Sequence, residues 1–444
     1  MKARSFFNKV TSAIVTKEIF EDKKSLKLLY KYFLIGLLIR IIFMPFVFQR
    51  DLLSTYQRAA TAIHLSDLFY GFFQLLTNLI HIIYLFFLKL ISPSVNSIFP
   101  VLIEQDTWVS WLAFNKNNFV FTILSLFKIP YLLFDIASMF LILRLAYDNY
   151  PEKKLKVFKY WVFNPLIIFV VYIFARHDII AIFVTIAALL LAKKQHKYWA
   201  ITVLAIAVIL RFFPILLLPL FIFYLARTKK DYIILSSIGI SGLIAIELIT
   251  NIKLGRSLIF SLLNTEHFDF LLSPKLDLVQ GSHSSIFVFL AVYTFIVFSF
   301  LNIKNKSFDL LLNYGAIIYL AYVGICYFHP QYALWMIPFL TISFIRKRQL
   351  LYFNLLQFGL ILILLIYWGD LVTKFLFAPL DHKYFVYLTG IIPIIERFYD
   401  SAKFVNIFRS IFTGISFWMI YLIYKDNKSL INDLVNDKLN NLRN

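Results

Sequence analysis

Asp51 is the first acid after the first long apolar stretch of the chain, in the run Phe48-Gln49-Arg50-Asp51-Leu52-Leu53-Ser54-Thr55-Tyr56-Gln57-Arg58. An ionisable cluster at the mouth of a membrane helix is costly against lipid, so protein contacts must hold it or a site must use it. A carboxylate in that position can take a proton from an attacking hydroxyl, the work of a general base. It can equally form an interfacial ion pair with Arg50 or Arg58. Three further runs carry reactive residue types: Phe174-Ala175-Arg176-His177-Asp178, Ile209-Leu210-Arg211-Phe212-Phe213-Pro214, and Tyr327-Phe328-His329-Pro330-Gln331-Tyr332. Arg176, His177, Arg211 and Arg58 are cations able to stabilise a departing phosphate through charge-assisted hydrogen bonds. Arg176 can also simply pair with Asp178, and His329 can be a satisfied turn histidine. Glu104 and Asp106 have metal-like spacing but read as solvated loop acids, and Arg40 and Asp135, deep in apolar segments, are expected to pair with each other. Glu266, His267, Asp269 and His283 are candidates for acceptor binding.

The elements that must position these residues are membrane helices. Hydrophobic residues make up 61% of the chain and charged residues 15%, whereas soluble domains carry roughly 25% charged residues. The formal charge of +20 comes from 44 Lys and Arg against 24 Asp and Glu. The cations collect in short turns between apolar segments, which the positive-inside rule explains as cytoplasmic loops without any nucleic-acid partner. Cys326 stands alone, so no intrachain disulfide is available. Residues 1–28 are basic and read as a cytoplasmic amphipathic N-terminus, lacking the small-residue cleavage site of a removable signal.

A spanning helix needs about 20 apolar residues. The hydropathy pattern predicts spans at 29–48, 119–146, 158–175, 179–192, 198–211, 214–226, 232–251, 285–302, 308–326, 332–345, 351–369 and 404–424, about twelve in all. Charge parity sets the topology. Lys153–Lys159, Lys193–Lys197, Arg227–Lys230, Lys304/Lys306 and Arg346–Arg348 all face the cytoplasm if both termini are inside and residues 49–118 remain outside. Leu68–Leu90 is apolar enough to cross, but one crossing there would invert every later basic turn. Residues 49–118 therefore read as a long first outer loop with interfacial or re-entrant helices, and Tyr70, Trp108 and Trp111 as headgroup-region residues. Residues 425–444 read as a short polar helix or disordered tail. The fold class expected is all-α, a polytopic integral membrane protein in a single transmembrane domain covering 1–444, with its chemistry on the outer side.

The order of these motifs resembles the GT-C superfamily of polyprenyl-phosphate-sugar-dependent glycosyltransferases, in particular the bacterial membrane mannosyltransferases and the mannosyltransferase of GPI-anchor synthesis. Matching features are Asp51 in the first outer loop with Tyr56 a few residues on, the Asn164-Pro165 helix start, Arg211-Phe212-Phe213-Pro214 running into a leucine-rich helix with Pro219, and the His329-Pro330-Gln331-Tyr332 turn before Trp335-Met336-Ile337-Pro338. The resemblance covers most of residues 29–345. It implies Asp51 as general base, His329 and Gln331 near the sugar or leaving phosphate, and Tyr56 and Tyr332 at the substrate. It departs in two places: Leu52 and Leu53 stand where many relatives carry a second acid, so a divalent metal ion stays an open cofactor with no ligands assigned, and Arg176-His177 replaces a Gly-Gln or Arg-Gly pair.

What the resemblance implies is transfer of a hexose, mannose first, from a polyprenyl-phosphate donor to an extracytoplasmic glycan or lipid acceptor; of a bacterial cell envelope and an internal lumen, the Lys/Asn/Ile-rich style of the chain favours a bacterial inner membrane. The absence of a GxGxxG or P-loop fits a lipid-linked rather than a nucleotide donor. Two rivals remain. A lipid-linked polysaccharide polymerase or ligase has a similar number of helices but a long late outer loop, and a flippase of lipid-linked sugars tends to show two similar halves.

Overall fold

The computed structural model describes residues 23–65, 74–104, 106–254, 271–278, 285–326 and 329–441. The expected amphipathic N-terminus up to residue 22, Tyr70, Glu266, His267, Asp269, His283, Tyr327 and Phe328 lie outside the described residues. Among the described residues the fold is all-α apart from one antiparallel pair of strands, β1 (Lys275–Asp277) and β2 (Ser285–Phe287). Among the described residues five helices are long and apolar enough to cross a membrane: Val120–Asp148, Pro151–Ile173, Phe308–Ile325, Arg348–Val372 and Ser401–Lys428. The chain forms two compact units, Met1–Ile186 with Ile361–Val405, and Ala187–Leu360 with Asn406–Asn444.

The first unit opens with α1 (Lys23–Phe43), α2 (Asp51–Leu65), α3 (Leu75–Ile91), α4 (Thr107–Asn115), α5 (Val120–Asn149) and α6 (Lys154–Val162). Helix α2 packs on α3, and α6 packs on both α1 and α5. The segment expected to form a single outer loop thus contains α2, α3 and α4, and α3, at 17 residues, is one of the shorter apolar helices. Arg40 and Asp135 meet as the sequence suggests: Arg40 Nε donates to Asp135 Oδ2 at 2.7 Å, with both side chains fully buried. The same carboxylate accepts from Trp161 Nε1 at 2.9 Å and the Tyr172 hydroxyl at 2.8 Å. Arg40 Nη1 also caps the Gly36 and Val162 carbonyls. One acid thereby fastens α1, α5, α6 and the turn that follows them, and a charge pair in an apolar interior survives because its lone pairs and protons are largely satisfied. A Cβ at Gly36 would lie 2.2 Å from Val162 Cγ1, so the bare glycine is what lets α1 approach α6.

Helix α7 (Asp178–Lys193) starts in the first unit, and the second unit then carries α8 (Lys197–Leu210), α9 (Leu218–Leu225), α10 (Lys229–Leu254), α11 (Val288–Leu301), α12 (Phe308–Ile325), α13 (Ile337–Arg346), α14 (Arg348–Leu364) and α15 (Ser401–Asn441). Helix α12 is buried along nearly its whole length and is the core of that unit. Helices α9 and α13 are each preceded by a 3₁₀ segment, Phe213–Leu217 and Pro330–Met336. In both cases one proline starts the tight turn, Pro214 or Pro330, and a second starts the α-helix, Pro219 or Pro338. Proline lacks the N–H that an interior turn needs, so paired prolines shorten the α-helical part of each predicted span.

Candidate functional site

Asp51 is the first residue of α2, where a negative charge meets the positive end of the helix dipole. Its backbone N–H donates to the side-chain oxygen of buried Gln49 at 2.7 Å, which fixes the entry into the helix. Along the same face, the Thr55 hydroxyl donates to the Asp51 carbonyl at 2.8 Å, and Arg58 Nη2 donates to Thr55 Oγ1 at 3.4 Å. The spacing of seven residues puts Asp51 and Arg58 on one side of the helix, two turns apart. Tyr56 points the other way. It is fully buried, stacks on Phe127 at 3.7 Å between ring centres, and donates its hydroxyl to the Phe127 carbonyl at 2.7 Å, as a core residue does.

Arg176 arrives at Asp51 through an irregular stretch of backbone. Asn164 caps the short helix Pro165–Ile168 by accepting from the Leu166 N–H at 2.9 Å, and the chain then widens into a π turn, Phe169–Ile173. Ala175 sits at φ 58°, a left-handed conformation that costs a non-glycine residue roughly 1–2 kcal/mol. Strain of this kind persists where the surroundings over-determine it. Its effect is to aim Arg176 back: Nη1 ion-pairs with Asp51 Oδ2, and Nε lies 3.9 Å from Asp178 Oδ2. The Asp178 side chain is fully buried and that of Arg176 7% exposed, whereas the Asp51 side chain is 43% exposed. The acid reachable by solvent is therefore Asp51, and the buried arginine spans both carboxylates.

His177 donates from Nε2 to the Gln74 side-chain oxygen at 2.7 Å, and its ring lies 5.7 Å from that of His81. His81 is fully buried, with Nδ1 2.6 Å from the Thr77 carbonyl and Nε2 2.8 Å from the Tyr131 hydroxyl. A carbonyl oxygen only accepts, so Nδ1 carries a proton and the neutral ring accepts from Tyr131. Asp51, Arg58, Arg176, His177 and Asp178 thus belong to one polar cluster of the first unit, with His81, Tyr131 and Gln74 behind them.

Beneath the cluster is a residue that sequence reasoning passed over. Lys128 is fully buried in α5, and its Nζ donates to three backbone carbonyls: Phe43 at 3.5 Å, Tyr172 at 2.8 Å, and Val47. Three donors of an ammonium meet three acceptors. Two of those acceptors precede Asp51 and Arg176 by four residues each, so one side chain joins the backbones that carry the ion pair. The signal was present: a lone lysine amid an apolar helix is expensive and marks a special position.

The remaining expected residues gather in the second unit. Arg211 closes α8, its N–H donating to the Ala207 carbonyl at 2.9 Å. Phe213, two residues on, packs on Tyr332 at 4.9 Å and Tyr322 at 5.1 Å between ring centres, and His329 lies 5.7 Å from Tyr332. The Arg211–Pro214 segment and the His329–Tyr332 turn are therefore neighbours. Gln331 is buried, and its side-chain oxygen has no hydrogen-bond partner. Arg409 Nη2 donates to the Cys326 carbonyl at 2.7 Å, holding the end of α12 from which this turn departs.

Two acids of the 49–118 segment have structural work instead. Asp106 caps α4, and the N–H groups of Val109 and Trp108 hold its carboxyl below the usual range. Glu104 accepts from the Asp106 N–H at 3.1 Å. Among the described residues no three of His, Cys, Asp or Glu stand together as metal ligands. Compared with known proteins, the chain matches no family model, no curated sequence and no solved structure.

Proposed function

We propose that this chain is a membrane glycosyltransferase that moves a hexose, mannose first among candidates, from a polyprenyl-phosphate donor to a glycan or lipid acceptor. The observation that carries the reading is the Asp51–Arg176 pair: a solvent-reachable carboxylate at a helix start, bonded to a buried arginine that also reaches Asp178, with Arg58 further along the same face. In the reaction the acceptor hydroxyl oxygen forms a bond to the anomeric carbon while the bond from that carbon to the phosphate oxygen breaks. The hydroxyl proton passes to Asp51, and the electron pair leaves with the polyprenyl phosphate, whose negative charge Arg176 and Arg58 stabilise. In this reading His177 and Arg211 also serve the donor phosphate, His329 is a second catalytic residue, and Gln331 and Tyr332 bind substrate.

The reading includes about twelve membrane crossings with both termini inside, residues 49–118 outside, and residence in a bacterial inner membrane. The test is transfer of labelled hexose from a synthetic polyprenyl-phosphate donor by the purified full-length chain in nanodiscs. Loss of transfer in Asp51→Asn and Arg176→Gln, with thermal stability kept, supports the assignment. Equal turnover by wild type and Asp51→Asn removes the base. If no polyprenyl-phosphate hexose is consumed but a fluorescent lipid-linked sugar crosses proteoliposome bilayers, the chain is a flippase.

A further inference from the structure

The stretch from Thr373 to Asp400 joins two of the helices long enough to cross a membrane and falls outside the predicted spans, between 351–369 and 404–424, where water-facing side chains would be expected. Its large apolar residues contradict that environment. Leu380, Tyr384, Tyr387, Ile391, Ile394 and Phe398 recur at alternating spacings of four and three, and all are exposed, Tyr387 to 87% and Phe398 to 86%. Tyr384 and Tyr387 stand on the short helix His382–Tyr387, Ile391 and Ile394 on the short helix Ile391–Glu396, and Leu380 and Phe398 flank the two in turns.

These side chains are held outward by an internally bonded frame. Asp381 caps the first short helix by accepting from the Tyr384 N–H at 3.0 Å. Lys374 Nζ donates to the Val386 carbonyl at 3.2 Å and the Leu388 carbonyl at 2.5 Å and pairs with Asp370 at 3.1 Å. A Cβ at Gly390 would lie 2.3 Å from Asp370 Oδ1, so the second short helix starts against the same acid. Gly369 takes φ 61°, turning the chain out of the preceding helix. The inward residues Leu376 and Ala378 are buried, and Phe375 packs on Trp108 and Trp111. The Phe48 N–H donates to the Leu376 carbonyl at 3.1 Å, three residues before Asp51.

We propose that residues 373–400 lie in the boundary between lipid headgroups and acyl chains as an interfacial platform, with the phospholipid bilayer as the partner of the exposed stripe. Three features select lipid over a protein partner. The segment begins and ends at apolar helices, so it cannot stand far from the bilayer surface. Tyr367 and Leu371, on the preceding helix, are exposed apolar residues as well. Its composition mixes tyrosine and aliphatic residues with Lys383 and Arg397 beside them, side chains whose apolar stems and polar tips suit the interface. Through Leu376 and Phe48 the platform fixes the height of the Asp51 turn relative to the bilayer, a consequence independent of the reaction catalysed there.

The test uses the full chain in phosphatidylcholine/phosphatidylglycerol nanodiscs, with a nitroxide at Tyr387→Cys or Phe398→Cys and with the unmutated chain, whose Cys326 is buried, as labelling background. Glu152→Cys, on an exposed turn, is the aqueous reference. Power saturation is expected to give greater accessibility to oxygen than to a water-soluble nickel chelate at 387 and 398, and the reverse at 152. Nickel accessibility at both sites equal to that at 152 overturns the proposal. So does protection of both sites from both reagents, which would mark a protein contact. One label sits at the end of the first short helix and the other two residues past the second, and neither replaces a packed side chain. The readout needs no turnover, so its failure is distinguishable from failure of the sugar-transfer reading.

Discussion

Lys128 gives one hydrogen bond to the carbonyl oxygen of Tyr172 at 2.8 Å, while the hydroxyl of the same tyrosine is bound to Asp135 at 2.8 Å. Tyr172 is thus gripped at both ends by α5, one residue at each grip, just before the chain turns toward Arg176. The geometry of the candidate site is set from below by an apolar helix carrying two polar anchors.

Replacing Lys128 by Met keeps much of the volume but leaves three buried carbonyls without their donor. The loss of stability is expected at about 1–3 kcal/mol, since an orphaned buried acceptor costs that much and the deleted charge returns part of its own desolvation. Thermal unfolding in detergent measures it. Under the glycosyltransferase reading, Lys128→Met also lowers transfer more than its melting temperature alone explains, because the Asp51 and Arg176 backbones are no longer tied.

Asp51→Asn keeps size and helix position but cannot accept a proton. Under the glycosyltransferase reading, transfer is expected to fall by about 10²–10⁴-fold with binding of the donor kept. Arg176→Lys preserves charge but loses the planar fork that spans Asp51 and Asp178, so it is expected to be impaired as well. Single-turnover assays with labelled donor separate the chemical step from binding.

Asp135→Asn leaves Arg40 buried beside a neutral partner, and breaking such a pair from one side costs about 3–5 kcal/mol. Removing both charges, Asp135→Asn with Arg40→Met, is expected to cost less than the sum of the single changes. A double-mutant cycle in urea or by thermal melting reads the coupling.

The first turns of α8 and α10 share an ion pair outside the apolar segments. Lys197 Nζ bonds to Asp231 Oδ1 at 2.5 Å, and the Arg227 and Thr228 N–H groups also donate to that carboxylate. Lys197 and these N–H groups lower the Asp231 carboxyl to about 2, and Lys197 is raised in turn. An acid with a depressed folded value contributes stability that is complete above its ordinary value of about 4 and disappears as pH falls through about 2. Wild type is therefore expected to lose stability in that window more steeply than Asp231→Asn, which titration of the melting temperature would show.

Gly36→Ala is expected to cost about 1–3 kcal/mol, because the added methyl group meets Val162 at 2.2 Å and α1 must move off α6. The same movement would disturb the Gly36 carbonyl that accepts from Arg40.

Much of this arrangement could be read from residue types. The apolar blocks locate the long helices, and two lone charges in such blocks, Arg40 and Asp135, had little choice but to meet. Asp51 and Arg176 were legible as chemistry-bearing residues, but 125 positions separate them, and their contact depends on a backbone path that no local pattern encodes. Ala175 is the clearest case, since alanine gives no hint of a left-handed conformation that tertiary packing imposes. Tyr56 was expected at the substrate and is instead a core side chain, because a tyrosine on an amphipathic helix looks the same facing inward or outward until its neighbours are known. Lys128 was missed for the opposite reason: its partners are carbonyl oxygens, which every residue has and no sequence advertises.

The π turn at Phe169–Ile173 holds one more residue per loop than ordinary helix. Such a bulge behaves as an insertion absorbed in place. Deleting any single residue from it would let the segment relax into regular α-helix and abolish the wide turn in which the Val170 carbonyl accepts from the Arg176 N–H at 3.0 Å. Arg176 would then swing off the Asp51 side of the unit although no side chain in either partner had changed. The register of this short stretch is consequently as consequential for the site as the identity of its charged residues, and length variation should be poorly tolerated there while substitutions that keep its count are accepted.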